Sequence, residues 1–149
     1  MRFVLILAVT ALSVSPAALA GNTDKIPNMQ ELTALAAKAE QATPKDRCYL
    51  YAELVSAMTE LAGQQMNAGN TSDASASLKA IQNYTAKIHT DLTGNSRKLK
   101  DAQIMMRRTA FRLKELMMNA SLSDQPTFQS TLAELDKVQS QMMLTVFEK

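Results

Sequence analysis

The single cysteine, Cys48, and the single histidine, His89, are the side chains of this 149-residue sequence best suited to covalent catalysis or to binding a soft metal. A thiol beside Arg47 and near the start of a helix could ionise readily and act as a nucleophile. Catalysis would also need a base and an orienting group, but His89 falls on another predicted helix. Cys48 also shares a three- and four-residue spacing with Tyr51 and Val55, which is typical of a buried helix face. We therefore predict that Cys48 is a core residue, with an intermolecular disulfide as the alternative.

Methionine is abundant, and its thioether can hold Cu(I) together with a thiol or an imidazole. After the first residue the methionines are Met29, Met58, Met66, Met105, Met106, Met117, Met118, Met142 and Met143. Adjacent methionines point about 100° apart on a helix, so we interpret them as gap-filling core residues. The sequence has no cysteine pair and no histidine spacing typical of zinc or di-iron sites. We predict no metal, no cofactor and no catalytic residues; the alternative is a small-ligand or Cu(I) carrier that uses methionines with Cys48 or His89.

The first twenty residues have the pattern of a secretory signal peptide. Arg2 precedes an apolar run from Phe3 to Val14, and small residues stand at Ala18 and Ala20. The run is too short for a bilayer-spanning helix, which needs about 20 apolar residues. We predict a signal peptide over 1–20 and export of residues 21–149 to the periplasm or the extracellular space. We expect no stable membrane insertion after cleavage.

The composition of residues 21–149 indicates an all-α domain. Glycine is rare, with four in the whole chain, and the residues that lose least on entering a helix dominate. Capping residues and a 3.6-residue periodicity predict helices near 28–42, 43–68, 70–94 and 95–120 and from 123 onward. Short connections favour antiparallel neighbours. We predict one domain, an up-down antiparallel bundle of four long helices preceded by a shorter N-terminal helix.

Charge is distributed unevenly along the chain. The fourth helix carries seven basic and two acidic residues, a net +5, whereas the rest of 21–149 carries eight basic and twelve acidic residues, a net −4. Asp46, Glu53 and Glu60 form an acidic stripe on the second helix, each about 10 Å from the next, too far apart for a shared acid–base site. This asymmetry indicates either an anionic partner or internal pairing with the acidic stripe, and we expect pairing within the protein and with solvent. Residues 21–149 carry a net charge of only +1, the sum of +5 and −4, and contain no recognition motif, so we predict no nucleic-acid partner.

The fourth helix also has apolar residues on two opposite faces, whereas a bundle helix normally has one. Leu99, Met106 and Leu113 belong to the expected core face. A second stripe repeats every seven residues on the other side and is flanked by basic residues; together they form a candidate interaction surface of Ile104, Arg107, Arg108, Phe111, Lys114 and Met118.

There are two possibilities for what covers this second stripe. We expect the short, alanine-rich first helix to lie over it, because an exposed apolar strip lowers solubility. The alternative is a partner, since an aromatic residue framed by arginines is typical of an interface hot spot. The sequence therefore predicts an exported, non-catalytic bundle that acts through contacts with another protein or a second copy of itself, as an adaptor, assembly factor or envelope component.

Overall fold

The computed structural model describes residues 28–92 and 97–147. These residues form five α-helices and no strand: α1 (Met29–Gln41), α2 (Pro44–Asn67), α3 (Thr71–Thr90), α4 (Arg97–Met118) and α5 (Gln125–Phe147). The prediction of an all-α helical bundle is confirmed. The proposed signal peptide, residues 1–20, lies outside the described residues. None of the five helices is both long enough and apolar enough to cross a bilayer.

Local sequence signals explain where the first two helices begin and end. Asn28 accepts a hydrogen bond from the backbone N–H of Glu31, and the Glu31 carboxylate accepts one from the backbone N–H of Asn28, which completes a capping box. Pro44 occupies the first turn of α2, where its missing N–H costs no helical hydrogen bond. Gly69 follows α2 with a φ of 79°, a conformation that favours glycine and closes the helix.

The four long helices pack with their axes at the corners of a square. α2 contacts α3 and α4, and α5 contacts the same two helices, while the described parts of α3 and α4 do not touch each other. α3 and α4 are therefore diagonal, although they are consecutive in the chain. The core between the four helices includes Tyr51, Met106, Leu113, Phe128 and Leu135, all of which are fully buried.

Side-chain contacts give the direction of two helix pairs. Between α2 and α3, Arg47 donates to Asp91 at 3.4 Å and Ser77 donates to Gln65 at 2.7 Å, so residue numbers run in opposite order and the helices are antiparallel.

Between α2 and α4, Lys98 pairs with Asp46 and Arg112 pairs with Glu60. Residue numbers rise together along this pair, so α2 and α4 run parallel. The acidic stripe of α2 therefore faces α4 along its length.

The first helix docks on α2, and not on α4. α1 buries Leu32 and Ala39, and among the described helices its backbone packs closely against α2. The phenol of the buried Tyr51 donates a hydrogen bond of 2.9 Å to the Glu40 carboxylate. Lys87 of α3 forms an ion pair with the same carboxylate. The expectation that α1 covers the second stripe of α4 is therefore wrong, because its buried residues are already used against α2.

The Tyr51–Glu40 hydrogen bond gives a first testable prediction. Tyr51→Phe keeps the buried ring and removes the donor to α1, so we expect the free energy of unfolding to fall by about 1 kcal/mol. Amide exchange in α1 should become faster. Tyr49→Phe on the same helix is the matched control, because the Tyr49 hydroxyl has no hydrogen-bond partner among the described residues. Equal losses in both variants, measured by urea denaturation, would contradict a specific tether.

Candidate functional site

The inner face of α4 belongs to the core. Its buried residues are Leu99, Ala102, Met106, Thr109, Ala110, Leu113 and Leu116. They recur at three- and four-residue steps, which places them on one side of a helix. This burial holds α4 at a fixed rotation, so the residues on the opposite side must face away from the bundle.

The second stripe lies on that opposite side and is exposed. The exposed fractions are 48% for Ile104, 66% for Phe111 and 75% for Met118. A large aromatic side chain that is two-thirds exposed on an ordered helix is unusual, because burying it would yield about 2 kcal/mol. The sequence-based expectation was that α1 would bury these three residues. Nothing in the described part of the chain buries them.

Basic side chains surround the stripe. Arg97, Lys100, Arg107, Arg108 and Lys114 are all exposed on the same side of α4. We call these five residues, together with Ile104, Phe111 and Met118, the outer face of α4. Between Ile104 and Phe111 the outer face has a shallow groove of about 420 Å³ that Gln103, Arg107 and Arg108 also line. The structure therefore brings together all six residues of the predicted interaction surface.

The basic residues of α4 divide into two groups with different surroundings. Lys98 and Arg112 point towards α2 and pair with Asp46 and Glu60, as predicted from the acidic stripe. Arg112 Nε lies 3.2 Å from both carboxylate oxygens of Glu60. The hydrogen bond from Lys98 lowers the pKa of the Asp46 carboxyl below its ordinary value.

The five cations of the outer face have no such partners among the residues that the structure describes. Arg97, Lys100, Arg107, Arg108 and Lys114 form no ion pair with any carboxylate in residues 28–92 and 97–147. Arg97 and Lys100 belong to this surface, although the surface predicted from the sequence did not include them. Arg97 stands seven residues before Ile104, and Lys100 stands seven residues before Arg107. This seven-residue spacing could have predicted that both belong to the surface.

Cys48 lies in the core, as predicted. Its side chain is 4% exposed. Burial, with a smaller contribution from the negative charge of Asp91, raises the pKa of the thiol to about 12. At neutral pH the sulfur is therefore a protonated apolar group and not a nucleophile.

The burial of Cys48 gives a second prediction. With a pKa of about 12, about one thiol in ten thousand is ionised at pH 8. We expect the native protein to react with a thiol reagent such as dithionitrobenzoate only on the timescale of unfolding, and to react at once in urea. Immediate reaction of the native protein would contradict the buried position.

The thiol, imidazole and thioether groups that could bind Cu(I) lie in different environments. The Cys48 thiol is buried, whereas His89 is exposed on α3. Met106 and Met142 are fully buried, and Met118 is among the most exposed apolar side chains. Within the described ranges, no group of three or more histidine, cysteine or acidic residues is placed to hold a metal ion.

Two further surfaces were missed by the sequence analysis. A groove of about 480 Å³ lies between α1, α2 and α3 and is lined by Leu32, Met58 and Tyr84 among others. No sequence pattern could reveal it, because it depends on where α1 docks. Exposed apolar residues also cluster in the last turns of α5, namely Met143, Leu144 and Phe147, and their three- and four-residue spacing was a visible signal.

The described fold and surface together define an all-α helical bundle with one basic and apolar helix face directed outwards. Comparison of the chain with protein-family models, with curated proteins and with solved structures found no match.

Proposed function

We propose that this protein is an exported, non-catalytic helical bundle that acts through protein–protein contacts at the outer face of α4. In this role it would serve as an adaptor, an assembly factor or a component of the cell envelope. The observation that carries the proposal is the exposure of Phe111, at 66%, between cations that lack ion-pair partners among the described residues. Aromatic residues and arginines are the most common hot-spot residues of interfaces.

Three other parts of the proposal rest on different observations. Export to the periplasm or the extracellular space is supported by the charge, apolar run and small residues of 1–20. The proposed up-down antiparallel order is supported for α2, α3 and α4 by the antiparallel contacts of α2 with α3 and the parallel contacts of α2 with α4. A non-catalytic role is supported by the buried, protonated state of Cys48.

Photo-cross-linking tests the proposed contact. Benzoylphenylalanine placed at position 111 should yield a covalent protein adduct of higher mass when the protein is produced at its natural level in the source organism. The same group at Ala86, which is exposed on α3, is the control and should give no such adduct. The proposal fails if position 111 gives no adduct, or if positions 111 and 86 give the same ones.

A further inference from the structure

The apolar residues of the outer face form a straight line. Ile104, Phe111 and Met118 are exposed and spaced by seven residues, which is close to two turns of an α-helix, so their side chains stay aligned. The line spans about 21 Å at 1.5 Å per residue. A line of this kind matches a second helix that crosses α4 at about 20°, because such helices contact each other through residues with the same repeat.

The charge of this face is almost entirely of one sign. Its five cations alternate with the apolar residues along the helix axis. Of the two carboxylates of α4, Glu115 lies about one turn after Phe111 and accepts a hydrogen bond of 3.3 Å from Arg112, and Asp101 lines the groove towards α2 with Asp46. The five cations are therefore accompanied on this face by one carboxylate, which is already paired. A partner that covers Phe111 must therefore bring negative charge, or it leaves several cations desolvated and unpaired.

A second copy of this chain does not meet that requirement. An antiparallel contact centred on Phe111 would bring Arg108 of one copy opposite Lys114 of the other. It would also bring Arg107 opposite Glu115, whose carboxylate already accepts a hydrogen bond from Arg112. Each copy would contribute the same five cations, and like charges in contact are destabilising. A homodimer through this face would bury the aromatic residues at the cost of strong repulsion.

An anionic membrane surface would match the positive charge of the outer face but not its narrow apolar line. Helices that lie in a bilayer interface present a wide apolar face, of about 100° or more around the helix. The wide apolar face of α4 is buried in the bundle. What remains outside is a single line of three apolar residues with basic residues at every intervening turn.

We propose that the outer face of α4 binds an acidic amphipathic helix of a partner protein. This inference rests on the proposed function and specifies the partner's chemistry. The partner helix carries an apolar residue at each repeat, which packs beside Phe111, and glutamate or aspartate on both flanks. Arg107 and Arg108 pair with these carboxylates through their planar guanidinium groups, and Lys114 pairs with another.

A synthetic helix provides the test. The probe is a fluorescein-labelled peptide of about 21 residues, or three heptads, with leucine at positions a and d, glutamate at e and g, and alanine elsewhere. Fluorescence anisotropy with the purified protein should show saturable binding that weakens as salt rises. A peptide of the same composition, with the leucines redistributed around the helix, should bind at least about tenfold more weakly.

Variants of the protein locate the binding site. Phe111→Ala should weaken peptide binding about tenfold or more. Phe147→Ala is the matched control, because Phe147 is a phenylalanine on another helix that is 75% exposed, against 66% for Phe111, and it should leave binding unchanged. The double variant Arg107→Glu, Lys114→Glu should lose binding to the acidic peptide and regain it with a peptide that has lysine in place of glutamate.

Four results would overturn the acidic-helix inference. They are no binding of the acidic peptide, equal binding of the redistributed peptide, capture by phosphatidylglycerol vesicles without peptide binding, and a Phe111-dependent dimer in sedimentation. A protein adduct from position 111 together with any of these results would retain the proposed function and reject only the acidic-helix chemistry. Absence of the adduct would reject the proposed function itself.

Discussion

Phe128→Ala should lower the free energy of unfolding by about 4 kcal/mol, whereas Phe111→Ala should change it by no more than about 0.5 kcal/mol. The two residues are chemically identical, but Phe128 is 1% exposed in the core and Phe111 is 66% exposed on the outer face of α4. Truncation of Phe128 leaves a cavity between α5 and its neighbours. Truncation of Phe111 removes atoms that already contact water. Urea denaturation followed by circular dichroism measures both values.

The stability of Phe111→Ala also distinguishes the two possible covers of the second stripe of α4, which are α1 and a partner. Had α1 covered Phe111, its truncation would have created a cavity worth about 3 kcal/mol. A loss of that size in Phe111→Ala would contradict the exposed position and restore intramolecular cover. Equal midpoints for Phe128→Ala and the unaltered protein would contradict the packing of α5.

Gly63→Leu is the second substitution with a large expected effect. Gly63 is buried in α2, and a Cβ atom there would lie 3.0 Å from Leu116 Cδ2 and 3.3 Å from Leu116 Cδ1. A leucine at this position has no room without separating α2 from α4. We expect the free energy of unfolding to fall by about 3 kcal/mol through overpacking.

Two companion variants make the Gly63 test specific. Gly63→Ala should be close to neutral, because the gain in helix preference of about 1 kcal/mol is offset by a small displacement of Leu116. Adding Leu116→Ala to Gly63→Leu should recover part of the loss, since the cavity accepts the new side chain. If the loss of unfolding free energy in the double variant equals the sum of the losses in the two single variants, the close contact between α2 and α4 at Gly63 is contradicted.

Helix positions could be predicted from the sequence because their signals are local. The first helix was predicted near 28–42 and is observed at Met29–Gln41, since Asn28 and Glu31 form the capping box within four consecutive residues. Pro44 and Gly69 delimit α2 in the same way. Each of these residues acts on backbone groups next to it, so no knowledge of the fold was needed.

The charge pairing of α4 was partly predictable. The interval between Asp46 and Glu60 equals the interval between Lys98 and Arg112, and equal intervals suit two parallel helices with the same rise per residue. The five cations of the outer face have no equivalent pattern on another helix. That they form no ion pair with any described residue became visible only with the rotation of α4 in the bundle.

The docking of α1 could not be predicted, because it depends on contacts between residues far apart in sequence. Leu32 and Ala39 fit any apolar groove. The choice of α2 is explained by the hydrogen bond from Tyr51 to Glu40 and by Lys87, whose ammonium lies 5.5 Å from the ring centre of Tyr51 and 5.5 Å from that of Tyr84. The separation between Glu40 and Lys87 along the chain exceeds the reach of any local pattern.

Cysteine labelling at position 100 tests the central claim most directly. In a Cys48→Ala background, Lys100→Cys and the control Ala86→Cys should both react rapidly with a maleimide in the purified protein, because both positions are exposed. Lys100 lies on the outer face about one turn before Ile104, so this substitution keeps Phe111, the residue expected to contribute most to binding. At natural expression levels in intact cells of the source organism, Cys at 86 should still react while Cys at 100 is protected by the bound partner. Slow reaction of position 100 in the purified protein, or equal reaction of both positions in cells, would contradict an outward-facing binding surface on α4.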